Sequence, residues 1–291
     1  MSIAGITTFE PNLNRLRENL NSIAAQVDRI IIVDNGSSNI DSISSLTTEY
    51  GEVVSMCMNS ANLGVANALN RIVNLASDTD EDWVLLLDQD SVASPGMFDT
   101  LARYRSPTTA ILSPLVVDIN RPHPQKTNTN VEHCMWPITS GSLLNIGICR
   151  ELGYFNEDLF IDFVDDEYAI RAFLAGYESL RVNTATLYHE VGHLKAAGIP
   201  FPHYEKGRWM LRRAFDSGHT PLRHYYQIRN LLYLRKQYNS VLQQHGVQLP
   251  SAIKYYIHSV FFEPHKFQNI TEMNRGIVDF RGLFHSSGNQ Q

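Results

Sequence analysis

The chain has 291 residues, of which 43% are hydrophobic and 19% charged, and its net charge is −6. This balance is typical of soluble globular proteins and excludes disordered, collagen-like and coiled-coil chains; the length suits one large α/β domain or two small ones. The sequence has no run of about 18 to 20 apolar residues and no basic-then-apolar opening, so we expect neither a membrane-spanning helix nor secretion. Cys57, Cys134 and Cys149 lack CxxC spacing, which indicates buried or idle thiols in a reducing compartment and argues against a zinc knuckle.

The first 115 residues alternate between short apolar runs and amphipathic stretches. The first run, SIAGITTF, ends at Glu10-Pro11 and precedes a stretch with apolar residues at helical spacing. Three more apolar runs follow, separated by helical stretches: RIIIVD, EVVSMCMN and DWVLLLD. Continuous apolar strands between helices predict a mostly parallel sheet covered on both faces, so we expect a doubly wound α/β half over residues 1 to about 115.

The pattern changes after this half. AILSPLVV predicts one more strand, whereas the polar, proline-containing DINRPHPQKTNTNVEH predicts a long loop. A strand is expected in ITSGSLLNI, and then a helix that ends at Gly176. From Tyr204 onward the chain is expected to be helical. We therefore predict a domain of residues 1–203, whose second half is 116–203, followed by a helical segment of residues 204–291.

Charge is unevenly distributed along the chain. Residues 1–203 hold 12 Lys and Arg against 25 Asp and Glu, whereas residues 204–260 hold 9 against 2. The basic and aromatic back end is suited to an anionic surface, but a solvated helix face would look the same.

Polar residues follow two of the predicted strands, at the sheet edge where ligands of open parallel sheets bind. Asp34 closes RIIIVD before a glycine and two serines, so it can accept a hydrogen bond from a base or simply form a turn and cap. Asp88 and Asp90 close WVLLLD, and alternation points both carboxylates the same way. Two hard oxygen ligands suit Mg²⁺ or Mn²⁺, and an acidic turn with Ser91 as a helix cap is the alternative.

A third group of acids lies in FIDFVDDEYAIR, which has four carboxylates within six residues: Asp162, Asp165, Asp166 and Glu167. Crowding raises the pKa of a carboxylic acid, as a general base near neutral pH requires. Acids also favour the first turn of a helix, so both interpretations apply here.

The stretch LYHEVGH matches the letters of a zinc-protease motif. That motif must lie within a helix, but here it follows the β-branched TATLY and contains Gly192. His189 is therefore interpreted as one ligand of a phosphate-bound divalent ion, or as a structural histidine.

Seven motifs occur in the order ITTFEP, VDNGS, NLGVANALN, LLLDQDS, SGS, FIDFVDDEYAIRAFLAGY and YHEVG. Over about residues 3–240 they resemble the inverting GT-A glycosyltransferases of family 2, and LDQDS and YYQIRNLLYLRK are most similar to bacterial rhamnosyltransferases of polysaccharide assembly. The resemblance implies a GT-A fold, which is α/β and Rossmann-like, with a mostly parallel central sheet covered by helices, followed here by the C-terminal helical segment.

The resemblance also implies roles for individual residues. Asp90 and His189 would hold Mg²⁺ or Mn²⁺. Asp165 would be the catalytic base, although the family's acidic pair is incomplete because Val164 replaces its first member, and the neighbouring acids leave the register open. The nucleotide-sugar donor would bind to Thr7, Phe9, Asp34, Asn62, Gly64 and Asp88.

The implied function is that of an inverting glycosyltransferase that moves L-rhamnose from dTDP-rhamnose to a saccharide acceptor in bacterial capsule or O-antigen synthesis. Elongating synthases carry Q-x-x-R-W, whereas this chain has Glu205 in place of Gln, so we expect a non-processive enzyme. No nucleic-acid partner is expected, and the oligomeric state is open.

The acceptors of such enzymes are commonly lipid-linked, which implies a cytoplasmic protein with peripheral contact on the inner face of the plasma membrane. Basic and aromatic residues suit such a surface. We expect Arg208, Trp209, Arg212 and Arg213 to make this contact; packing of the C-terminal helices or pairing of subunits is the alternative.

Two other functions fit parts of the sequence. VLLLDQDSV matches the nucleophile motif of haloacid-dehalogenase-type phosphatases, but that motif normally ends the first strand of its domain, and three strand–helix units precede it here. A non-catalytic sugar-nucleotide-binding subunit is the other alternative, because the first acid of the pair is lost.

Overall fold

The computed structural model describes residues 1–118, 129–189, 195–205, 207–216 and 218–283, with backbone only for residues 195–205 and 212–216. The chain divides into two compact units. The first consists of Met1–Phe160 and Val164–Glu190, and the second of Ile161–Phe163 and Val191–Gln291.

The front of the first unit has the predicted alternation of strands and helices. Its elements are β1 (Ile3–Thr8), α1 (Leu13–Ile23), β2 (Arg29–Asp34), α2 (Ile40–Thr48), β3 (Val54–Met58), α3 (Val65–Ser77) and β4 (Trp83–Asp88). Ile6, Ile32 and Leu85 lie in the fully buried core that these elements share. Burial of such side chains contributes about 1.5–3 kcal/mol each and stabilises the sheet that carries the site.

The four strands are parallel and end at one edge of the sheet. The order is β3-β2-β1-β4, with Thr8 opposite Asp34 and Thr7 opposite Asp88. Parallel register therefore places the polar strand ends side by side, as the sequence predicted.

The rest of the first unit extends the same sheet. It contains β5 (Val92–Ala93), α4 (Met97–Ala102), β6 (Thr109–Asp118), β7 (Val131–His133), β8 (Ser142–Asn145), α5 (Ile146–Glu151), α6 (Val164–Leu174) and β9 (Glu178–His189). The order continues from β4 as β8-β6-β9-β5, and β7 also pairs with β9. In the described part of the chain, six of the nine strands run in one direction, and β5, β7 and β8 oppose them. The mostly parallel α/β sheet of the prediction is confirmed.

The prediction of a loop after β6 is wrong for its last residues, which form a strand. Val131–His133 is a short strand that pairs antiparallel with Val182, Arg181 and Leu180 of β9. The side chain of Arg181 is ion-paired with Glu132 across this contact, which a polar sequence can form as readily as an apolar one. Residues 119–128 of the predicted loop lie outside the described part of the chain.

The second unit contains a hairpin and three helices. The hairpin is formed by β10 (Lys195–Glu205) and β11 (Arg208–Asp216), and the helices are α7 (Pro221–Gln244), α8 (Ala252–Phe262) and α9 (Lys266–Asp279). C-terminal helices are thus confirmed, but the helical prediction for residues 204–216 is wrong.

Two local features explain where strand gives way to helix. Gly207 has φ +79°, a left-handed conformation that glycine adopts readily and that lets the chain reverse between β10 and β11. Helix α7 begins later, at Pro221, because Thr220 accepts a hydrogen bond from the amide of Arg223 and proline has the right φ for a first helical residue.

The described helices include none that combines the length and apolar character required to cross a bilayer. The three cysteines are free, and Cys149 is fully buried, which raises the pKa of its thiol to about 12. Burial also raises the thiol pKa values of Cys57 and Cys134, both of which are partly exposed. Thiols with raised pKa values are poor nucleophiles, as expected of idle cysteines.

Candidate active site

Asp88, Asp90 and His189 come together at the carboxyl edge of the sheet, with one ligand atom of each within 4.8 Å of the others. Strand β5 brings them together because it pairs antiparallel with the end of β9, Val92 opposite Tyr188. His189 Nδ1 lies 3.6 Å from Asp90 Oδ1. Two carboxylates and an imidazole at this spacing fit a divalent ion such as Mg²⁺ or Mn²⁺.

Two buried serines orient this cluster. Ser91 Oγ is hydrogen-bonded with His189 Nδ1 at 2.9 Å and with Ser140 Oγ at 2.7 Å. Ser140 Oγ also accepts a hydrogen bond from the backbone amide of Asp88 at 2.9 Å. The alternative role for Ser91 as a helix cap is wrong, since α4 begins only at Met97. The tautomer of His189 in which Nδ1–H donates to Ser91 Oγ leaves Nε2 available to a metal.

Asp34 is fully buried at the end of β2 and is bound by its own turn. Its carboxylate accepts hydrogen bonds from Thr8 Oγ1 at 2.9 Å, from Ser37 Oγ at 2.6 Å, and from the amides of Gly36 at 3.0 Å and Ser37 at 2.8 Å. Four hydrogen bonds occupy both oxygens, so the turn interpretation describes this geometry. Contact of Asp34 with a nucleotide base stays a prediction.

The other predicted donor residues line the same edge. Thr7 is partly buried beside Asp88, and Phe9 is exposed with its amide donating to Gln89 Oε1 at 2.8 Å. Asn62 is partly exposed, and its Oδ1 accepts from the amide of Gly64 at 3.0 Å. The structure thus places these side chains near the strand ends, and their contacts with a donor stay predictions.

The backbone of Phe160 lies so close to position 64 that only glycine fits there. Its φ is +90°, and a Cβ there would lie 2.6 Å from the carbonyl oxygen of Phe160. The next amide, that of Val65, donates to this oxygen at 2.7 Å. The segment that precedes α6 is therefore packed directly on the start of α3.

A network of amide side chains supports this region and was not recognised from the sequence. Asn59 Nδ2 donates to Asn35 Oδ1 at 2.8 Å and to Asn67 Oδ1 at 3.1 Å. Asn67 and Asn70 in turn donate to the two carboxylate oxygens of Glu157, each at 2.8 Å. The available signal was the recurrence of asparagine within the otherwise apolar stretch NLGVANALN, which is costly unless each amide has a partner.

Three of the four crowded acids, Asp162, Asp165 and Glu167, have different surroundings. Glu167 is buried and forms a bidentate pair with Arg171, which also donates to the carbonyls of Leu152 and Tyr154. Asp162 pairs with Arg223 at 2.9 Å. The ion pair with Arg171 gives Glu167 a structural role, because removing one partner of a buried ion pair is costly.

Asp165 lies in the first turn of α6. Its Oδ1 accepts from the amide of Asp166 at 3.1 Å, and its Oδ2 accepts from the amide of Thr139 at 3.4 Å. It also lines a small pocket with Phe155 and Tyr168. Since Thr139 precedes Ser140, one short segment contacts both Asp165 and the residues that orient the metal cluster.

This fold and this edge of acids define a class of enzyme. The protein is a glycosyltransferase with a GT-A fold. Residues 4–145, just under half of the chain, match the family model described as "Glycosyl transferase family 2".

One similar protein is the dTDP-rhamnosyl transferase RfbF of Shigella flexneri. It is 24% identical over 259 residues, which cover 82% of this chain and 81% of that one.

Solved structures share the fold at low sequence identity. GalNAc-T7 with UDP, GalNAc and Mn²⁺ has a TM-score of 0.60 at 12% identity, with 97% of this chain and 57% of that chain covered. Mannosyltransferase PcManGT of Pyrobaculum calidifontis, with GDP-Man and Mn²⁺, has a TM-score of 0.56 at 14% identity and coverages of 100% and 75%. S. aureus TarS 1-349 with UDP-GlcNAc has 0.58 at 15% identity, with coverages of 97% and 81%. This chain therefore spans little more than half of GalNAc-T7.

The metal cluster can be tested by binding. Loss of a partner that orients a metal ligand typically weakens affinity by about 10- to 100-fold, so Asp90→Ala should cost at least that much, and Ser91→Ala should fall within that range. Mn²⁺ binding, measured by electron paramagnetic resonance in the presence of dTDP, gives the dissociation constants. Asp99→Ala, which removes an exposed acid of α4, is the matched control. Equal affinity in the wild type and Asp90→Ala would contradict this site.

Proposed function

We propose that the protein is a non-processive, inverting glycosyltransferase that uses a nucleotide-sugar donor and Mg²⁺ or Mn²⁺, and that its sugar is L-rhamnose, supplied as dTDP-rhamnose. The observation that carries the proposal is the Thr139-Ser140 segment. The amide of Thr139 donates a hydrogen bond to Asp165, and Ser140 orients the Asp88, Asp90 and His189 cluster. This segment therefore contacts both the proposed proton acceptor and the proposed site for a diphosphate-bound cation.

The chemistry follows from these positions. Asp165 would take the proton of an acceptor hydroxyl while that oxygen attacks the anomeric carbon from the face opposite the diphosphate. The bond from the anomeric carbon to the diphosphate oxygen breaks, and its electron pair leaves with the nucleoside diphosphate. A divalent ion at Asp90 and His189 would neutralise the charge that develops on this leaving group. A single displacement of this kind inverts the anomeric configuration.

The choice of rhamnose is supported by the Shigella flexneri relative and by the LDQDS and YYQIRNLLYLRK segments. The same relationship supports a saccharide acceptor, lipid-linked, in capsule or O-antigen synthesis at the inner face of a bacterial plasma membrane. The phosphatase alternative lacks support, because β4 is the fourth strand of its sheet along the chain and residues 4–145 match family 2.

A donor panel tests the proposed function. Each of dTDP-rhamnose, UDP-GlcNAc, UDP-GalNAc and GDP-mannose is incubated with the protein and Mn²⁺, and release of nucleoside diphosphate is measured with and without oligosaccharide acceptors. We expect dTDP-rhamnose to be turned over fastest and only with the metal. Binding without turnover would support the non-catalytic alternative, and full activity in excess chelator would contradict the metal requirement.

The base can be tested by an isosteric change. Asp165→Asn keeps the shape of the side chain but removes the proton acceptor, which typically lowers the rate by about 10² to 10⁴. Turnover of dTDP-rhamnose should fall by that factor while dTDP binding is retained. Asp166→Asn is the matched control. If Asp166→Asn were inactive and Asp165→Asn active, the register of the base would be wrong by one residue.

Peripheral membrane contact is proposed at the start of β11. Trp209 and Leu211 are 72% and 76% exposed there, and Arg208 is exposed beside them. The side chains of Arg212 and Arg213, which the sequence also suggested, lie outside the described part of the chain. An aromatic ring and a cation suit the interface of an anionic leaflet, where each Lys or Arg contributes about 1 kcal/mol.

Liposome flotation tests this contact. The protein should float with vesicles of phosphatidylglycerol and phosphatidylethanolamine, and Arg208→Ala/Trp209→Ala should reduce the floating fraction, as should high salt. Arg103→Ala, which removes an exposed cation at the end of α4, is the control. Absence of flotation at any salt concentration would leave the packing or subunit alternative for these residues.

A further inference from the structure

The segment just before the proposed base has an unusual backbone. Phe160, Asp162 and Phe163 have φ values of 63°, 63° and 62°. Left-handed backbone is sparsely populated by residues other than glycine, and it is least favourable for bulky side chains such as phenylalanine. It persists only where surrounding contacts hold it in place, and such positions concentrate at functional sites.

Side chains of α7 supply contacts that hold this segment. Asn230 is 0% exposed, and its Nδ2 donates to the carbonyls of Ile161 and Asp162, each at 2.9 Å. Arg223 donates through Nε to Asp162 Oδ2 at 3.0 Å and through Nη2 to Asp162 Oδ1 at 2.9 Å. The two residues are seven positions apart, so they share one face of the helix.

The hydrogen bonds from Asn230 and Arg223 also have a defined orientation. Asn230 Oδ1 accepts from Arg229 Nε at 3.0 Å, which fixes the orientation of the amide and directs both N–H groups toward the segment. A planar guanidinium on a carboxylate is a bidentate pair that restrains rotation as well as distance. The backbone at Asp162 is therefore held through its carbonyl by Asn230 and through its side chain by Arg223.

These contacts bear on Asp165, which lies three residues after Asp162 in the first turn of α6. We propose that Asn230 and Arg223 are positioning residues, which hold Asp162 and Phe163 in their left-handed conformation and thereby fix where Asp165 presents its carboxylate to the acceptor hydroxyl. This inference rests on the proposed function, in which Asp165 is the base. It gives the YYQIRN segment of α7 a role in turnover without any contact with substrate.

The main test variant is Asn230→Asp. It preserves size and shape, but an ionised carboxylate cannot donate and repels the two carbonyls. A misplacement of about 1 Å in a catalytic group can cost about 100-fold in rate, so kcat for release of dTDP from dTDP-rhamnose, with water as acceptor, should fall by about that factor. The dissociation constant for dTDP should be unchanged, because donor contacts are not altered.

The chain offers a matched control in the same unit. Asn269 of α9 is 1% exposed and also donates through Nδ2 to two backbone carbonyls, those of Ser259 at 3.3 Å and Pro264 at 2.7 Å. Asn269→Asp should lower the melting temperature by a similar amount without changing kcat. Hydrogen–deuterium exchange of peptides that span residues 158–170 should become faster in Asn230→Asp and not in Asn269→Asp.

Arg223→Lys and Asp162→Asn provide a second route if Asn230→Asp does not fold. Each removes the bidentate pair, and asparagine tolerates the left-handed backbone of position 162. Each should lower kcat, and the double variant should lose less than the product of the two single effects, because both changes break the same contact.

The outcomes separate this inference from the function on which it rests. If the wild type does not turn over any donor, or if Asp165→Asn is fully active, the proposed base fails and the positioning role fails with it. If Asp165→Asn is inactive but Asn230→Asp or the Arg223 and Asp162 variants keep wild-type kcat, only the positioning role is overturned. Equal loss of kcat in Asn230→Asp and Asn269→Asp would also overturn it, because the effect would then follow stability alone.

Discussion

The hydroxyl of Ser140 is the contact on which the rest of the site depends. It accepts from the amide of Asp88 and is hydrogen-bonded with Ser91, which in turn is bonded with His189. The end of a strand must otherwise leave its backbone amide without a partner, and a buried polar group without a partner is costly. The hydroxyl that completes β4 is therefore also bonded, through Ser91, to His189 of the candidate metal cluster, so the sheet and the candidate site are stabilised together.

Around Gly64, too, the same contacts stabilise the fold and shape the candidate site. The asparagine network ties the end of β2 to α3 and to Glu157, and the close approach of Phe160 requires a residue without a side chain. Buried polar networks are favourable only if every member is satisfied, and a satisfied network is rigid. Rigidity at this point suits a donor site, because a preorganised pocket loses less entropy when it binds.

The acidic residues around the start of α6 have different partners. Glu167 is paired with Arg171 within the helix, Asp162 is paired with Arg223, and Asp165 accepts hydrogen bonds from the amides of Thr139 and Asp166. The tertiary structure thus distinguishes acids that stand together in the sequence.

Much of this could be read from the sequence. The four apolar runs gave β1 to β4, the strand ends gave Asp88 and Asp90, and the FIDFVDDE segment contained the candidate base, because strand period, helix period and strand-end polarity are local properties of the chain. The hairpin of residues 195–216 was missed, because its pairing depends on a partner strand that local pattern does not reveal.

Only the tertiary structure decided how these residues combine. His189 meets Ser91, 98 positions earlier in the chain, and its neighbour Asp90 because β5 pairs with β9, and Glu167 and Asp162 are paired with Arg171 and Arg223. Such contacts are set by which surfaces pack together, and a sequence encodes that choice only through the free energy of the whole fold. The sequence by itself therefore determined which residues were available for chemistry, and the packing determined which of them meet.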